Sequence, residues 1–156
     1  MPTGQFDLKG KVAIVTGGNG GIGLGMARGM ADAGAAIAVV GRNAEKSQAA
    51  VADLTKRGAK AIAIACDVTD ANAVSAMIAQ TTKEFGRIDI LVNNAGMSIR
   101  KPPHVLSLEE WETVMKTNLT SAFLCSQAAY TAMKAAGGGK VINIGSMLSI
   151  FGTGFA

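Results

Sequence analysis

Short apolar runs alternate with longer amphipathic stretches along most of the chain. The short runs are rich in Ile, Val and Ala, which is typical of strands buried on both faces, and they occupy residues 12–16, 35–40, 60–65, 88–92 and 140–144. The longer stretches repeat apolar positions at helical spacing, and they occupy residues 24–31, 44–57, 71–85 and 108–136. Regular alternation of strand and helix predicts right-handed βαβ units and a parallel sheet.

The connections between these elements predict the order of the strands. The crossover after the third strand has to return past the first strand before the second half can begin, so we expect the order 3-2-1-4-5. The predicted fold class is α/β, a Rossmann-like doubly wound parallel sheet in one domain over residues 1–156. Ligands of such sheets bind beyond the carboxyl ends of the strands, so the residues that follow each strand are the candidate site.

Five glycines separate the first strand from the first helix. A glycine-rich turn of this kind lets a pyrophosphate approach the backbone and the N–H groups of the helix N-terminus. Two registers fit: Gly18-x-Gly20-x-x-Gly23 is the general dinucleotide fingerprint, whereas Thr16-Gly17-x-x-x-Gly21-Ile22-Gly23 has a different spacing. The competing interpretation is an ordinary tight connection. The candidate cofactor-binding residues of this turn are Gly17, Asn19, Gly20, Gly21, Ile22 and Gly23.

The second strand is followed by Gly41, Arg42 and Asn43. A site that prefers NAD usually places an acidic residue here, against the ribose hydroxyls. No acidic residue is present at this point, and the planar guanidinium of Arg42 suits a bidentate contact with a 2′-phosphate. We therefore predict NADP(H) as the preferred cofactor, with Arg42 and Asn43 in its site, and NAD(H) as the second candidate. The competing interpretation of Arg42 is a solvated side chain on a loop.

The third and fourth strands end in further polar and small residues. After the third strand come Asp67 and Val68, and Asp67 is a candidate acceptor for the adenine amino group. The competing interpretation is that Asp67, Thr69 or Asp70 only caps the next helix. The residues after the fourth strand are expected beside the middle of the cofactor, or else they form a plain turn, since Asn and Gly both tolerate left-handed backbone. They are Asn93, Asn94, Ala95 and Gly96.

Two further polar residues are candidates for chemistry. Ser146 directly follows the fifth strand, where a hydroxyl can donate to a carbonyl or a developing alkoxide, with Ser149 as the weaker candidate and helix capping as the alternative. Asn118 lies on the apolar stripe of the last long helix, so we expect a buried amide that holds a water or an irregular helical carbonyl, or bonds within the core. The other members of the stripe are Trp111, Met115, Ala122, Cys125, Ala129 and Met133.

Apolar residues also lie off that main stripe of the long helix. Leu119, Phe123 and Tyr130 are the examples. Because a helix with a second apolar surface needs a second partner to bury it, we predict a homo-oligomer, either a dimer or a tetramer.

Composition excludes several classes of protein. A chain of 156 residues that is 49% apolar is long enough for one domain with a core. The apolar runs are too short to span a bilayer and the first residues lack the apolar core of a signal peptide, so we expect no membrane association and a cytoplasmic location. The net charge of +4 comes from scattered basic residues, which predicts no nucleic-acid binding. Cys66 and Cys125 lack metal-like spacing, so we expect reduced, buried thiols and no metal site.

Five motifs together resemble the short-chain dehydrogenase/reductase family over residues 8–156, with similarity to 3-oxoacyl-carrier-protein reductases and bacterial sugar or gluconate dehydrogenases. The resemblance implies a hydride passed between a nicotinamide cofactor and a small carbonyl or alcohol substrate. In chain order the motifs are Thr16-Gly17-x-x-x-Gly21-Ile22-Gly23, Asp67, Asn93-Asn94-Ala95-Gly96, Asn118 and Ile142-Asn143-Ile144-Gly145-Ser146.

The resemblance also implies roles in catalysis. Ser146 would orient and polarise the carbonyl, and Asn118 would support a water relay. The family's general acid or base is a tyrosine with a lysine four residues later, and both follow the serine at positions beyond Ala156. We therefore expect a longer natural polypeptide and no activity from this chain alone. The alternative is a dinucleotide-binding module without catalysis.

One tyrosine and lysine with that spacing do occur earlier in the chain. Tyr130 and Lys134 precede Ser146 and lie near the end of the long helix. That helix runs back toward the amino ends of the strands, and Tyr130 is roughly 18 Å along it from Asn118. We therefore predict that Tyr130 and Lys134 are packing or surface residues.

Overall fold

The computed structural model describes residue 4 and residues 6–152. Within this part of the chain five parallel strands form one sheet in the order β3-β2-β1-β4-β5, which confirms the predicted topology. Residues 1–3, 5 and 153–156 of the predicted domain lie outside the described residues. The strands are β1 Val12–Thr16, β2 Ala36–Gly41, β3 Ala61–Ala65, β4 Ile90–Asn93 and β5 Lys140–Asn143.

Helices connect the strands and cover both faces of the sheet at β1, β2 and β4, whereas the residues of β5 are exposed. A 3₁₀ turn at Pro103–Val105 and a π-helical segment at Lys116–Thr120 accompany the α-helices. Among the described residues, none of the helices combines the length and the apolar character that crossing a membrane requires. The α-helices are α1 Gly21–Asp32, α2 Ala44–Lys56, α3 Ala71–Phe85, α4 Leu108–Met115, α5 Ser121–Ala135 and the short α6 Leu148–Phe151.

Side chains at the helix starts fix where three helices begin. The Asn43 side chain accepts a hydrogen bond from the Lys46 N–H at the start of α2, and Asp70 accepts from two N–H groups at the start of α3. Ser107 and Glu110 form a reciprocal capping box at the start of α4. These bonds satisfy N–H groups that have no partner within the helix, so the sequence determines these boundaries locally.

The alternating side chains of β1 enter two separate cores. Ile14 packs with α3 and α5 on one face, whereas Ala13 and Val15 pack with α1 and α2 on the other face. All five residues of β1 are buried. Burial on both faces explains why the central strands are continuous apolar runs without polar alternation.

The π-helical segment divides the predicted helix over residues 108–136, so that prediction is wrong in its middle. A π turn holds more residues than an α turn, and it therefore rotates the preceding helix relative to the face that α5 buries. Cys125, Ala129 and Met133 in α5 are buried as predicted. Trp111, in α4, is 53% exposed, and Asn118 is also exposed, so the expected buried amide is wrong.

Asp89 joins β1, β4 and the end of α5 at the amino edge of the sheet, where the strands begin. Its carboxylate accepts hydrogen bonds from the Val12 N–H at 3.0 Å, from Arg87 at 2.6 Å and from Lys11 at 3.3 Å. Burial raises the pKa of Asp89, but these hydrogen bonds outweigh burial and hold the pKa below its ordinary value. Arg87 also donates to the Ala136 carbonyl, so α5 ends at this amino edge.

This direction of α5 determines where Tyr130 lies. Tyr130 is 64% exposed. It lies less than two turns before the end of α5, which contacts Arg87. Lys134 is also exposed and lies closer still to that end. Both side chains therefore belong to the surface near the amino edge, on the far side of the domain from the strand ends that carry the candidate site.

Candidate functional site

A cleft of about 550 Å³ lies at the carboxyl edge of the sheet, where the strands end. It brings together residues that follow four different strands, although these residues are far apart in sequence. Its position is the one where doubly wound sheets bind ligands. Of the predicted site residues, the lining includes Gly17, Asn19, Arg42, Asn43, Asp67, Val68, Ala95 and Gly96.

The backbone of the glycine turn distinguishes between the two predicted registers. Gly17 and Gly21 have positive φ angles of 63° and 50°, which disfavour any residue with a side chain. A Cβ at Gly23 would overlap the Gly17 carbonyl oxygen and lie 2.5 Å from the Asn94 side chain. Gly20 is extended, and a Cβ there would meet nothing within 4 Å. A Cβ at Gly18 would lie 2.7 Å from the Val15 carbonyl oxygen, so Gly18 is constrained as well. Gly20 is thus the one position of the general fingerprint that the geometry leaves free, whereas it constrains every glycine of the Thr16-Gly17-x-x-x-Gly21-Ile22-Gly23 register.

Thr16 fastens the glycine turn to the turn after β4. Its hydroxyl donates to the Val92 carbonyl at 3.2 Å and accepts from the N–H groups of Asn94 and Ala95 at 2.9 and 3.0 Å. The Asn94 side chain donates in return to the carbonyls of Thr16 and Gly17 at 3.0 and 3.3 Å. Thr16 is 2% exposed, so a buried polar network holds two walls of the cleft together.

Asn19 connects the glycine turn to the wall formed by α2. Its amide donates to the Ser47 hydroxyl at 3.0 Å and to the Asn43 carbonyl at 3.4 Å. The Ser47 hydroxyl donates to the same carbonyl at 2.9 Å, and Ser47 is buried. A Cβ at Gly41 would overlap the Asn19 amide, so this approach requires glycine at the end of β2. Arg42 follows directly, exposed and on the cleft wall.

Asp67 provides a carboxylate on another wall of the cleft. One of its oxygens accepts from the Thr69 N–H at 3.0 Å and from the Thr69 hydroxyl at 2.8 Å. These two hydrogen bonds, with smaller contributions from the charges of Arg42 and Lys116, lower the pKa of Asp67. The helix-capping role belongs to Asp70, so Asp67 is an ionised acceptor at the cleft.

Asn118 lies in the π-helical segment, beside the turn after β4. Its side chain accepts from the Met97 N–H and donates to the Met97 carbonyl, both at 2.8 Å. A Cβ at Gly96 would approach the Asn118 oxygen to 3.2 Å. The local helix is irregular, as one of the predicted alternatives requires, and its residues Lys116 and Thr117 line the cleft.

Ser146 is exposed and stands just beyond β5, outside the cleft lining. Its hydroxyl oxygen accepts from the Leu148 N–H at 3.1 Å. The N-cap residue of α6 is Met147, so Ser146 makes a local bond one residue before the capping position. A hydroxyl that accepts one hydrogen bond keeps its own proton available for donation. The Ser149 hydroxyl instead donates to the Ser146 carbonyl at 2.5 Å. Within residues 6–152, Ser146 and Asn118 share no hydrogen bond.

The two cysteines pack inside the core. Cys66 and Cys125 are free and buried, and burial raises the pKa of Cys125 to about 12, so this thiol is a packing residue and a poor nucleophile. In the part of the chain that the structure describes, no cluster of His, Cys, Asp or Glu side chains could hold a metal ion.

A second groove, of about 940 Å³, lies at the opposite, amino edge of the sheet. Lys9, Lys11, Lys60 and Arg87 line it, together with residues at the C-terminal ends of α1, α2 and α3. The carbonyl ends of three helices point negative dipoles toward this groove, which offsets the basic side chains. Its geometry offers no phosphate cradle comparable to the glycine turn.

Several residues of the site could not be singled out from the sequence. Ser47 gives only a weak signal, a polar residue on the inner face of a helix. Lys46, Thr113, Lys116 and Thr117 line the cleft because of how their helices pack, and no local pattern marks them.

Comparisons with known proteins agree with this geometry. The family model for short chain dehydrogenases matches residues 11–155. The chain is 46% identical to D-threitol dehydrogenase of Mycolicibacterium smegmatis, over 91% of this chain and 55% of that protein. It is 43% identical to 2-dehydro-3-deoxy-D-gluconate 5-dehydrogenase of Escherichia coli, over 97% of this chain and 60% of that protein.

A solved structure shows the same architecture. NAD⁺-bound xylitol dehydrogenase superposes with a TM-score of 0.91 at 34% identity, over 95% of this chain and 57% of that one. The chain therefore spans a little over half the length of the proteins it matches. The family model, the relatives and the fold agree, and the chain belongs to the short-chain dehydrogenase/reductase family.

Proposed function

We propose that this chain is the cofactor-binding half of an oxidoreductase that transfers a hydride between NADP(H) and a small carbonyl compound or secondary alcohol. The observation that carries the proposal is the carboxyl-edge cleft, which unites the glycine turn with the ends of β2, β3 and β4. The relatives include D-threitol, 2-dehydro-3-deoxy-D-gluconate and 3α-hydroxysteroid dehydrogenases, which supports an alcohol or carbonyl substrate without narrowing its class.

The residues at this edge fit a dinucleotide. A Cβ at Gly20 or Gly21 would meet nothing within 4 Å, so the turn leaves open space in front of the first N–H groups of α1. These N–H groups are the natural partners of a pyrophosphate. Asp67 would accept from the adenine amino group, and Arg42 and Asn43 would face the adenosine ribose. Asn94, Ala95 and Gly96 would lie beside the nicotinamide half.

The chemistry divides between the cofactor and side chains of the protein. When bound, the nicotinamide ring supplies or accepts the hydride. Ser146 would donate its free hydroxyl proton to the substrate oxygen, and the irregular helix around Asn118 would hold a water for proton transfer. The general acid would be the family's tyrosine, placed after Ser146, since Tyr130 lies at the opposite edge of the domain. The alternative function is a dinucleotide-binding module without catalysis.

Cofactor preference is the finer part of the proposal. The solved xylitol dehydrogenase holds NAD⁺, so family membership alone does not decide between the two cofactors. Arg42 favours NADP(H), because its exposed guanidinium lies on the cleft wall directly after β2. Asp67, on the facing wall, is engaged by Thr69 through one oxygen and forms no ion pair with Arg42 within the described residues.

We expect this chain to bind NADPH more tightly than NADH, and Arg42→Ala to remove most of the difference. A broken charge pair at a binding site costs about 2–5 kcal/mol, and the exposure of Arg42 places the loss near the lower end, about thirtyfold in Kd. Isothermal calorimetry with both cofactors measures it. Lys60→Ala, which removes a positive charge at the amino edge, is the control and should change neither Kd. Equal Kd values in the unmutated chain would refute the assignment.

We also propose that the protein self-associates through α5 and the π-helical segment. Leu119, Phe123 and Tyr130 are 60%, 60% and 64% exposed, so this apolar surface has no cover within the described chain. A dimer or tetramer would bury it. Light scattering at micromolar concentration should give a multiple of the 15.8 kDa chain mass, whereas a monomer would count against the proposal.

A further inference from the structure

Lys46 is a second basic residue on the cleft wall that carries Arg42. It lies in the first turn of α2, and both residues line the cleft. Neither side chain forms an ion pair with a carboxylate among residues 6–152. Two basic side chains without a direct ion-pair partner on one wall of a ligand cleft indicate an anionic group of the ligand.

Hydrogen bonds hold the backbone of this wall in place. The Asn43 side chain accepts from the Lys46 N–H at 2.8 Å, and the Asn43 carbonyl accepts from Ser47 at 2.9 Å. Asn19 donates to the same carbonyl and to Ser47, which links the wall to the glycine turn. The turn that carries Arg42 and the start of α2 are therefore fixed relative to the site of the pyrophosphate.

The charges that line the cleft are predominantly positive. They are the basic side chains of Arg42, Lys46 and Lys116 and the single carboxylate of Asp67. Asp67 interacts with the charges of Arg42 and Lys116, and it accepts two hydrogen bonds from Thr69. Ribose hydroxyls need no such excess of positive charge. A phosphomonoester, which carries close to two negative charges at neutral pH, does need it.

We propose that Lys46 is a specificity-determining residue, which together with Arg42 binds the 2′-phosphate of the cofactor. Arg42 presents a planar fork to two phosphate oxygens, and Lys46 presents a compact ammonium at the end of a flexible chain. The two positive charges together balance the two negative charges of the phosphate, whereas one guanidinium would balance only one of them. This inference rests on the proposed function, because it assumes that the cleft binds the adenosine half of a nicotinamide dinucleotide.

The test uses the two adenosine fragments that differ by this phosphate. The unmutated chain and Lys46→Gln are titrated with 2′,5′-ADP and with 5′-AMP in a calorimeter. Lys46→Gln should weaken 2′,5′-ADP roughly tenfold, which corresponds to about 1.4 kcal/mol, and leave 5′-AMP unchanged. Lys46→Arg should keep most of the preference, because it keeps the charge. Lys56→Gln, at the other end of α2, is the control for loss of charge on the same helix.

The outcomes separate the inference from the function on which it rests. One contrary result is that Lys46→Gln weakens the binding of 2′,5′-ADP and 5′-AMP equally, and another is that it weakens neither. Either result would overturn the role of Lys46 and would leave the cleft as the cofactor site. Failure of the unmutated chain to bind either fragment or NADPH would overturn the proposed function itself. Thermal melts of each variant confirm that the domain remains folded, which the exposed position of Lys46 favours.

Discussion

Replacing Ser146 with alanine is expected to lower turnover about 10²–10³-fold, the usual loss when one donor to a developing oxyanion is removed. The measurement requires an enzyme in which these residues are followed by the family's tyrosine and lysine. Ser146 accepts one hydrogen bond from the Leu148 N–H, which orients the hydroxyl and leaves its proton for the substrate oxygen. Cofactor affinity should hardly change, because Ser146 lies outside the cleft lining.

Ser149→Ala provides the matched control for this prediction. The Ser149 hydroxyl points back to the Ser146 carbonyl, so its loss should change turnover far less. Steady-state kinetics with saturating cofactor would separate the two variants. Unchanged turnover in Ser146→Ala, or an equal loss in Ser149→Ala, would remove Ser146 from the mechanism.

The second large effect is expected from Gly23→Ala. The new methyl group would overlap the Gly17 carbonyl and press on the Asn94 side chain. The Gly17 carbonyl is part of the backbone, so it can move away only if the glycine turn is distorted. Overpacking of this kind costs about 1–3 kcal/mol of folding free energy. It would also displace the glycine turn from the N-terminus of α1, so we expect loss of measurable NADPH binding.

Gly25→Ala, two residues further along α1, is the control for this substitution. A Cβ at Gly25 meets nothing within 4 Å, and alanine is the better helix former by about 0.5–1 kcal/mol. Chemical denaturation should therefore show opposite signs, with Gly23→Ala less stable and Gly25→Ala equally or more stable than the unmutated chain. Gly23→Ala with normal stability and normal NADPH affinity would contradict the described turn.

The sheet could be predicted from the sequence because its determinants are local. Each central strand is a continuous apolar run, because the sheet buries it on both faces. A glycine or a capping side chain marks most of the helix boundaries. The strand order could be predicted because crossover connections between parallel strands are short and right-handed. The choice between the two glycine registers did not follow, because it depends on the φ angles of Gly17 and Gly21 and on the open space around Gly20.

The long helix shows where periodicity fails. A pattern of apolar residues every three or four positions assumes an unbroken α-helix, and the π-helical segment at Lys116–Thr120 shifts the phase midway. Periodicity alone therefore places Trp111 and Asn118 on the buried face, whereas both side chains are exposed. The reciprocal bonds between Asn118 and Met97, which accompany the shift, join residues 21 positions apart and leave no local signal.

The same reasoning explains the missed cleft residues. Lys46 resembles any surface lysine in the sequence, and its place on the cleft wall depends on the contact between Asn19 and the start of α2. Thr16 belongs to the glycine motif, but its bonds to Val92, Asn94 and Ala95 depend on the pairing of β1 with β4. Pairing between distant strands determines these contacts, so one sequence alone could not identify them.

We propose that the carboxyl-edge cleft of this chain binds a nicotinamide dinucleotide, and amide NMR spectra recorded during a titration with NADPH test this binding. We expect saturable shifts at residues lining the cleft, with Gly17, Arg42, Asp67 and Ala95 among them, and none at Lys60 in the amino-edge groove. An unchanged spectrum at about 1 mM NADPH would mean that the binding free energy is weaker than about 4 kcal/mol. That result, or shifts confined to the amino-edge groove, would contradict the proposal.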